Sequence, residues 1–151
     1  MTGTKPILLA EDNPRDAELA LAAMEEQNIS DKVVVCQDGA EVLDYLYYRG
    51  TFKSRLKGNP VVVFLDLKMP KVNGLEVLRT IKADANLRSI PVVMLTSSRE
   101  ERDLRESYAL GANAYVVKPV EFHQFVSAVK ELGAFWGVIN EPPPEVSRSE
   151  K

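Results

Sequence analysis

Apolar runs that stop abruptly on a chemically active side chain constrain this 151-residue chain more than any other feature. The run at 61–65 (VVVFL) ends on Asp66, and the run at 7–10 (ILLA) ends on the pair Glu11 and Asp12. The run at 91–95 (PVVML) ends on Thr96, and that at 114–117 (AYVV) ends on Lys118, with Pro119 next. Short, β-branched runs that stay apolar almost throughout are the pattern of parallel strands covered on both faces. In open α/β sheets, ligand sites lie at the carboxyl ends of the strands. Four such strands would deliver three carboxylates, a hydroxyl and an ammonium to one sheet edge. Acids so close together stay ionised only beside a cation. The pattern points to a divalent metal next to a reactive carboxylate, with a lysine ready to meet an anion.

A fifth run, at 32–36, completes the set of strands, and helical patterns separate the runs. Ala17, Ala20, Leu21 and Met24 keep helical spacing, as do Val77, Leu78 and Ile81. A last helix would carry Phe122, Phe125, Val126, Val129, Leu132 and Trp136 on one face. Asn13-Pro14 reads as an N-cap followed by proline at the first helical position. Ser98 with Glu101 reads as a capping box, and Asn73-Gly74 as a turn before the third helix. Five strands alternating with five helices predict an α/β domain of the doubly wound (βα)5 class, a five-stranded parallel sheet with helices on both faces.

The chain is long enough for one domain with a sizeable core. A net charge of −3 leaves no nucleic-acid footprint, and no apolar stretch approaches the ~20 residues needed to span a bilayer. With no signal-peptide pattern and a single cysteine, Cys36, read as a small buried hydrophobe, the expected location is cytoplasmic. Two segments fall outside the repeat. The loop 49–59, with Arg49, Lys53, Arg55 and Lys57 and no acid, is either a solvated excursion or a docking patch for an acidic partner. Near the C-terminus, FWGVIN at 135–140 is apolar and passes into Glu141-Pro142-Pro143-Pro144, a stiff extended stretch. The polar residues 145–151 are expected to be disordered.

The first strand is followed by carboxylates where a nucleotide-binding α/β protein would carry a glycine-rich loop. Acids there repel phosphate unless a metal bridges them, which argues for Mg²⁺, an ion satisfied by two or three carboxylates, a carbonyl and water. Asp66 would be both ligand and nucleophile, forming an acyl phosphate. Lys118 and the Thr96 hydroxyl would neutralise and hydrogen-bond the phosphoryl oxygens.

At these residues the chain resembles the receiver domain of two-component response regulators. The resemblance rests on EDNP at 11–14, LDLKMPKVNG at 65–74, MLTSS at 94–98 and YVVKP at 115–119, in order and at strand ends. It spans about residues 5 to 136 and implies the flavodoxin-like receiver fold. It implies that Asp66 accepts a phosphoryl group from a histidine kinase. It further implies Mg²⁺ held by Glu11, Asp12, Asp66 and the main-chain carbonyl of Lys68, a switch pair of Thr96 and Tyr115, and a cis peptide between Lys118 and Pro119. The family often has Asp where Glu11 stands; the longer arm keeps the charge, so metal binding is expected to survive. Lys68 and Ser98 would flank the phosphoryl group and tune its hydrolysis. His123, the single histidine, is read as a solvated helix residue. A dehalogenase-like phosphatase would need a second Asp where Lys68 stands, so the expected protein is no enzyme beyond its own phosphorylation and dephosphorylation.

The expected division is a receiver over 1–136 and an arm with tail over 137–151. No effector domain is read after residue 140, so a stand-alone receiver signalling by protein contact is expected. The apolar stretch at 135–140 is too hydrophobic to leave in water, and with the basic loop it resembles the small receivers that partner bacterial and cyanobacterial phytochromes. That resemblance implies a phytochrome kinase as partner, and a homodimer through the fifth helix and residues 137–144, with Phe135, Trp136, Val138, Ile139 and Pro142 in contact. The alternative is a phosphorylation-independent dimeric binding module or a phosphate sink.

Overall fold

A computed structural model describes residues 6–26 and 33–118. Five parallel strands form one sheet: β1 (Ile7–Ala10), β2 (Val33–Cys36), β3 (Val62–Leu65), β4 (Val92–Thr96) and β5 (Ala114–Val117), in the spatial order β2-β1-β3-β4-β5. Ala10 lies level with Cys36 on one side and Leu65 on the other, and Thr96 lies level with Val117. This register brings the residues that follow β1, β3 and β5, and the last residue of β4, to a common edge. Between the strands run α1 (Pro14–Glu26), α2 (Gly39–Leu46), α3 (Gly74–Ala83) and α4 (Glu101–Ala109), with a 3₁₀ turn at Gly50–Phe52. The fifth helix expected from the sequence lies outside the described residues, as do the arm and the Pro119 peptide.

Successive strand residues point to opposite faces, and the core divides accordingly. Leu8, Ala10, Val63, Leu65, Val92 and Met94 pack with α2 and α3 through Val42, Leu46, Val77, Leu78 and Ile81. Ile7, Leu9, Val62, Phe64, Val93 and Leu95 form the other face, against Ala20 and Met24 of α1. Cys36 is fully buried in the first cluster, as a small hydrophobe would be.

Helix starts follow from side chains that accept orphan amides. Asp38 accepts from Glu41 N at 2.8 Å, Asn73 from Glu76 N at 3.0 Å, and Asn13 from Arg15 N at 2.9 Å, with Pro14 opening α1. The capping box expected at Ser98 is not formed: α4 begins two residues later, its N-cap is Glu100, and that residue makes no side-chain cap bond. Ser98, ahead of the helix, instead donates its hydroxyl to Asp103 in the first turn of α4 and accepts from Glu100 N at 3.3 Å.

Two helix starts touch backbone so closely that only glycine fits. A Cβ on Gly39 would lie 1.8 Å from the Val72 carbonyl oxygen, and one on Gly74 would lie 2.2 Å from that of Asp66. The basic loop is organised from within. The Arg55 guanidinium stacks between the rings of Tyr45 and Tyr48, 3.8 and 4.1 Å from their centroids, and donates to the carbonyls of Tyr45, Leu56 and Gly58. Arg49 pairs with Asp44 at 3.4 Å. Of the four loop cations, Arg55 is therefore spent on holding the loop to α2 rather than offered to a partner.

Candidate functional site

The carboxyl edge of the sheet carries the residues the sequence placed there. Asp66 N donates to Ala10 O at 3.1 Å and Glu11 N to Cys36 O at 3.0 Å, extending the parallel pairing one step past the strands. These bonds fix the backbones of both acids side by side. Glu11, Asp12 and Asp66 each present a carboxylate oxygen within 4.8 Å of the other two. Glu11 and Asp66 are buried and Asp12 is exposed, so the cluster opens to solvent on one side.

Lys118 enters this group from the end of β5, its own N–H held by Thr96 O at 2.7 Å. Its ammonium bonds Glu11 Oε1 at 2.8 Å, Asp16 Oδ2 at 2.9 Å and Asp66 Oδ2 at 3.3 Å. The second Glu11 oxygen accepts from Asn13 N at 3.1 Å. The longer arm of glutamate thus reaches the lysine and the helix start together. Burial pushes the Glu11 carboxyl up to about 7, against the Lys118 hydrogen bond and with the charge of Asp66 adding to the rise. Burial also works to lower the Lys118 ammonium, but its bonds to Glu11 and Asp16 and the charge of Asp66 outweigh it and hold lysine above its ordinary value.

Three acids bond one ammonium, a fourth, Asp12, clusters with two of them, and the donors are all hard oxygens. That set fits a divalent cation such as Mg²⁺ or Mn²⁺, and a lone ammonium leaves the acids undercompensated. Lys68 N donates to Asp66 Oδ1 at 3.3 Å, which places that peptide beside the acid.

Thr96 is buried at the end of β4, and its Oγ1 accepts from Ser98 N at 3.2 Å. Tyr115 donates its phenol hydrogen to Ser98 O at 3.1 Å, and Ser98 Oγ bonds Asp103 Oδ2 at 2.5 Å. Ser98 therefore joins β4, α4 and β5 through its amide, its hydroxyl and its carbonyl. Phe135, Trp136, Val138, Ile139, Pro142 and His123 lie outside the described residues.

Sequence reasoning missed two acids. Asp16 is four residues after Asp12, next to the core-facing Ala17, and that helical phase was the available signal. Asp103 is buried on a helix whose other turns are largely charged, and no pattern in the sequence marks it.

A cavity of about 350 Å³ lined by Tyr47, Tyr48, Lys57, Asn59, Asp84 and Asn86 among others does not include any of the clustered acids. Among the described residues, no helix is long and apolar enough to cross a membrane.

The response regulator receiver domain model matches residues 7–130. Among solved structures, the bacteriophytochrome response regulator RtBRR is 61% identical with a TM-score of 0.79, over 94% of this chain and 86% of that one. The probable methanogenesis regulatory protein FilR2 of Methanothrix harundinacea is 40% identical over 138 residues, 91% of this chain and 86% of FilR2. The response regulator Rcp1 of Synechocystis sp. is 33% identical over 87% of this chain and 88% of its own. Its Mn²⁺-bound structure aligns with a TM-score of 0.79 at 32% identity, over 93% of this chain and 99% of that one. These likenesses set the chain among phytochrome-related regulators of two-component signalling, whose kind of partner is a histidine kinase and whose receivers bind a divalent metal ion. By the family match over residues 7–130, with which its strand order, acid cluster and lysine agree, the chain belongs to the response regulator receiver domain family.

Proposed function

We propose that Asp66 is the phosphoacceptor of this receiver, charged by a sensor histidine kinase of the phytochrome kind. The observation that carries the reading is the Lys118 ammonium bonded to both Glu11 and Asp66 where three carboxylates converge. A carboxylate oxygen of Asp66 gives its lone pair to phosphorus, while the bond from phosphorus to the kinase histidine nitrogen breaks and its electron pair leaves with the imidazole. Glu11, Asp12, Asp66 and the Lys68 carbonyl would hold Mg²⁺, which when bound supplies neutralisation of the phosphoryl oxygens.

Lys118 adds its own charge on the β5 side. Thr96, whose Oγ1 accepts from Ser98 N, retains its hydroxyl hydrogen for a phosphoryl oxygen. When Thr96 turns toward that anion it gives up Ser98 N, and the change reaches Tyr115 and α4 through Ser98. The chain catalyses its own phosphorylation and dephosphorylation and no other reaction, and a cytoplasmic location goes with this reading. Output runs through protein contacts rather than nucleic acid or membrane, and through a homodimer formed by the fifth helix and the arm.

Intact mass after incubation with a small acyl phosphate, with and without Mg²⁺, tests the acceptor. The expected result is a metal-dependent gain of one phosphoryl group that disappears in Asp66→Asn. A gain that persists in that variant would place the acceptor elsewhere.

A further inference from the structure

The ammonium of Lys118 has three hydrogens, and the three acceptors around it are unequal. Glu11 and Asp16 stand at 2.8 and 2.9 Å, and Asp66 at 3.3 Å. Two carboxylates on the α1 side thus draw the cation off the residue it would serve. Of the two, Glu11 is held at both oxygens and its side chain is 4% exposed. Asp16 is on the first turn of α1 and its side chain is 33% exposed. A carboxylate near water is released at less cost than a buried one.

We infer that Asp16 is a positioning residue for the phosphoryl reaction: it holds Lys118 in a withdrawn place and competes with the phosphoryl group for the ammonium. This rests on the reading of Asp66 as phosphoacceptor. As the lone pair of an Asp66 oxygen forms the bond to phosphorus, the bond from phosphorus to the leaving acetate oxygen of a small acyl phosphate breaks, and acetate departs with that electron pair. Two of the phosphoryl oxygens' negative charges then sit where one carboxylate charge had been. Lys118 meets them by giving up one of its three acceptors, and Asp16 is the one with solvent to replace it. The ordinary role of an acid in the first turn of a helix is to offset the helix dipole. That role alone would not involve Lys118.

The test compares Asp16→Asn, Asp16→Glu and Glu18→Gln with wild type in the same Mg²⁺ and acetyl phosphate. Glu18→Gln removes one charge from α1 at an exposed position two residues on. The expected result for Asp16→Asn is phosphoryl uptake about fivefold faster, the factor that release from one part-exposed ion pair gives. Asp16→Glu should return the rate toward wild type, and Glu18→Gln should leave it unchanged. Equal acceleration in Glu18→Gln would mean bulk electrostatics and would overturn the inference, as would an unchanged rate in Asp16→Asn.

A second measurement is independent of phosphorylation. In ¹⁵N NMR of the unphosphorylated protein, the Lys118 ammonium resonance, identified by its loss in Lys118→Met, should shift or exchange faster with water in Asp16→Asn but not in Glu18→Gln. An unmoved resonance would overturn the inference even if melting temperatures differ. If wild type takes up no phosphoryl group at all, the acceptor reading fails, and the ammonium resonance still decides whether Asp16 holds Lys118.

Discussion

At the scale of single residues, Cys36 gives a sharp contrast between its ordinary chemistry and its place here. Its thiol is fully buried, and burial, with Glu41 and Asp38 nearby, pushes it from the ordinary 9.0 up to about 12. The folded thiol stays protonated in a window where the unfolded one ionises. The stability Cys36 contributes is therefore fully present below pH 9 and is lost as pH rises toward about 12. The stability difference between wild type and Cys36→Ala, from urea unfolding, should shrink over that window, by at most about 1.4 kcal/mol per pH unit. Iodoacetamide should leave the folded thiol unlabelled at pH 8 and label it in urea. Much of the site was legible at this same scale. Asp66, Glu11, Asp12, Thr96 and Lys118 could be read because an apolar run points to its own end, and a parallel sheet collects those ends. Asp16 was not, because its relation to Lys118 spans about a hundred residues and depends on the rotation of α1. The role of Arg55 was hidden as well, since charge alone does not say that a guanidinium will lie between two tyrosine rings.

At the scale of elements, the start of α3 is set by how near it comes to the end of β3. Gly74 N donates to Leu67 O at 2.7 Å, and a Cβ at 74 would meet Asp66 O at 2.2 Å and Leu67 Cα at 2.8 Å. Gly74→Ala gains helix propensity, yet the methyl must displace the backbone that carries Asp66. The expected net cost is about 1–3 kcal/mol, the range for overpacking a close contact, seen as a lower urea midpoint, together with slower phosphoryl uptake. A variant as stable and as reactive as wild type would mean that β3 yields there without consequence. α1 and α3 began where Asn13-Pro14 and Asn73-Gly74 indicated, and each strand began within one residue of its apolar run; no start was read for α2. The exception, α4, starts at Glu101: the Ser98 hydroxyl donates to Asp103, while its oxygen accepts from Glu100 N at 3.3 Å, the residue that serves as N-cap. A buried acid at the fifth position on from Ser98 offers no period for a sequence reader to detect.

At the scale of the whole molecule, the five-stranded order β2-β1-β3-β4-β5 keeps the acid cluster on one edge. The proposed homodimer belongs to this scale too, and it concerns residues outside those described. Ending the chain after Leu132 removes Phe135, Trp136, Val138, Ile139 and Pro142, and should turn a dimer into a monomer in sedimentation or light scattering; a truncated chain that remains dimeric would falsify the arm model. That truncation leaves the sheet edge itself untouched, and the edge sets limits of a different kind. Gly39, at the start of α2, has the Val72 carbonyl where a side chain would begin, so the loop after Asp66 and the helix after β2 meet with only hydrogen between them. For anyone remaking this edge to take another metal or another partner, the charges are the adjustable parts and the clearances are the fixed ones. Acids and lysines can be exchanged on a frame that stays put, whereas a single methyl group at position 39 would move the frame beneath all of them.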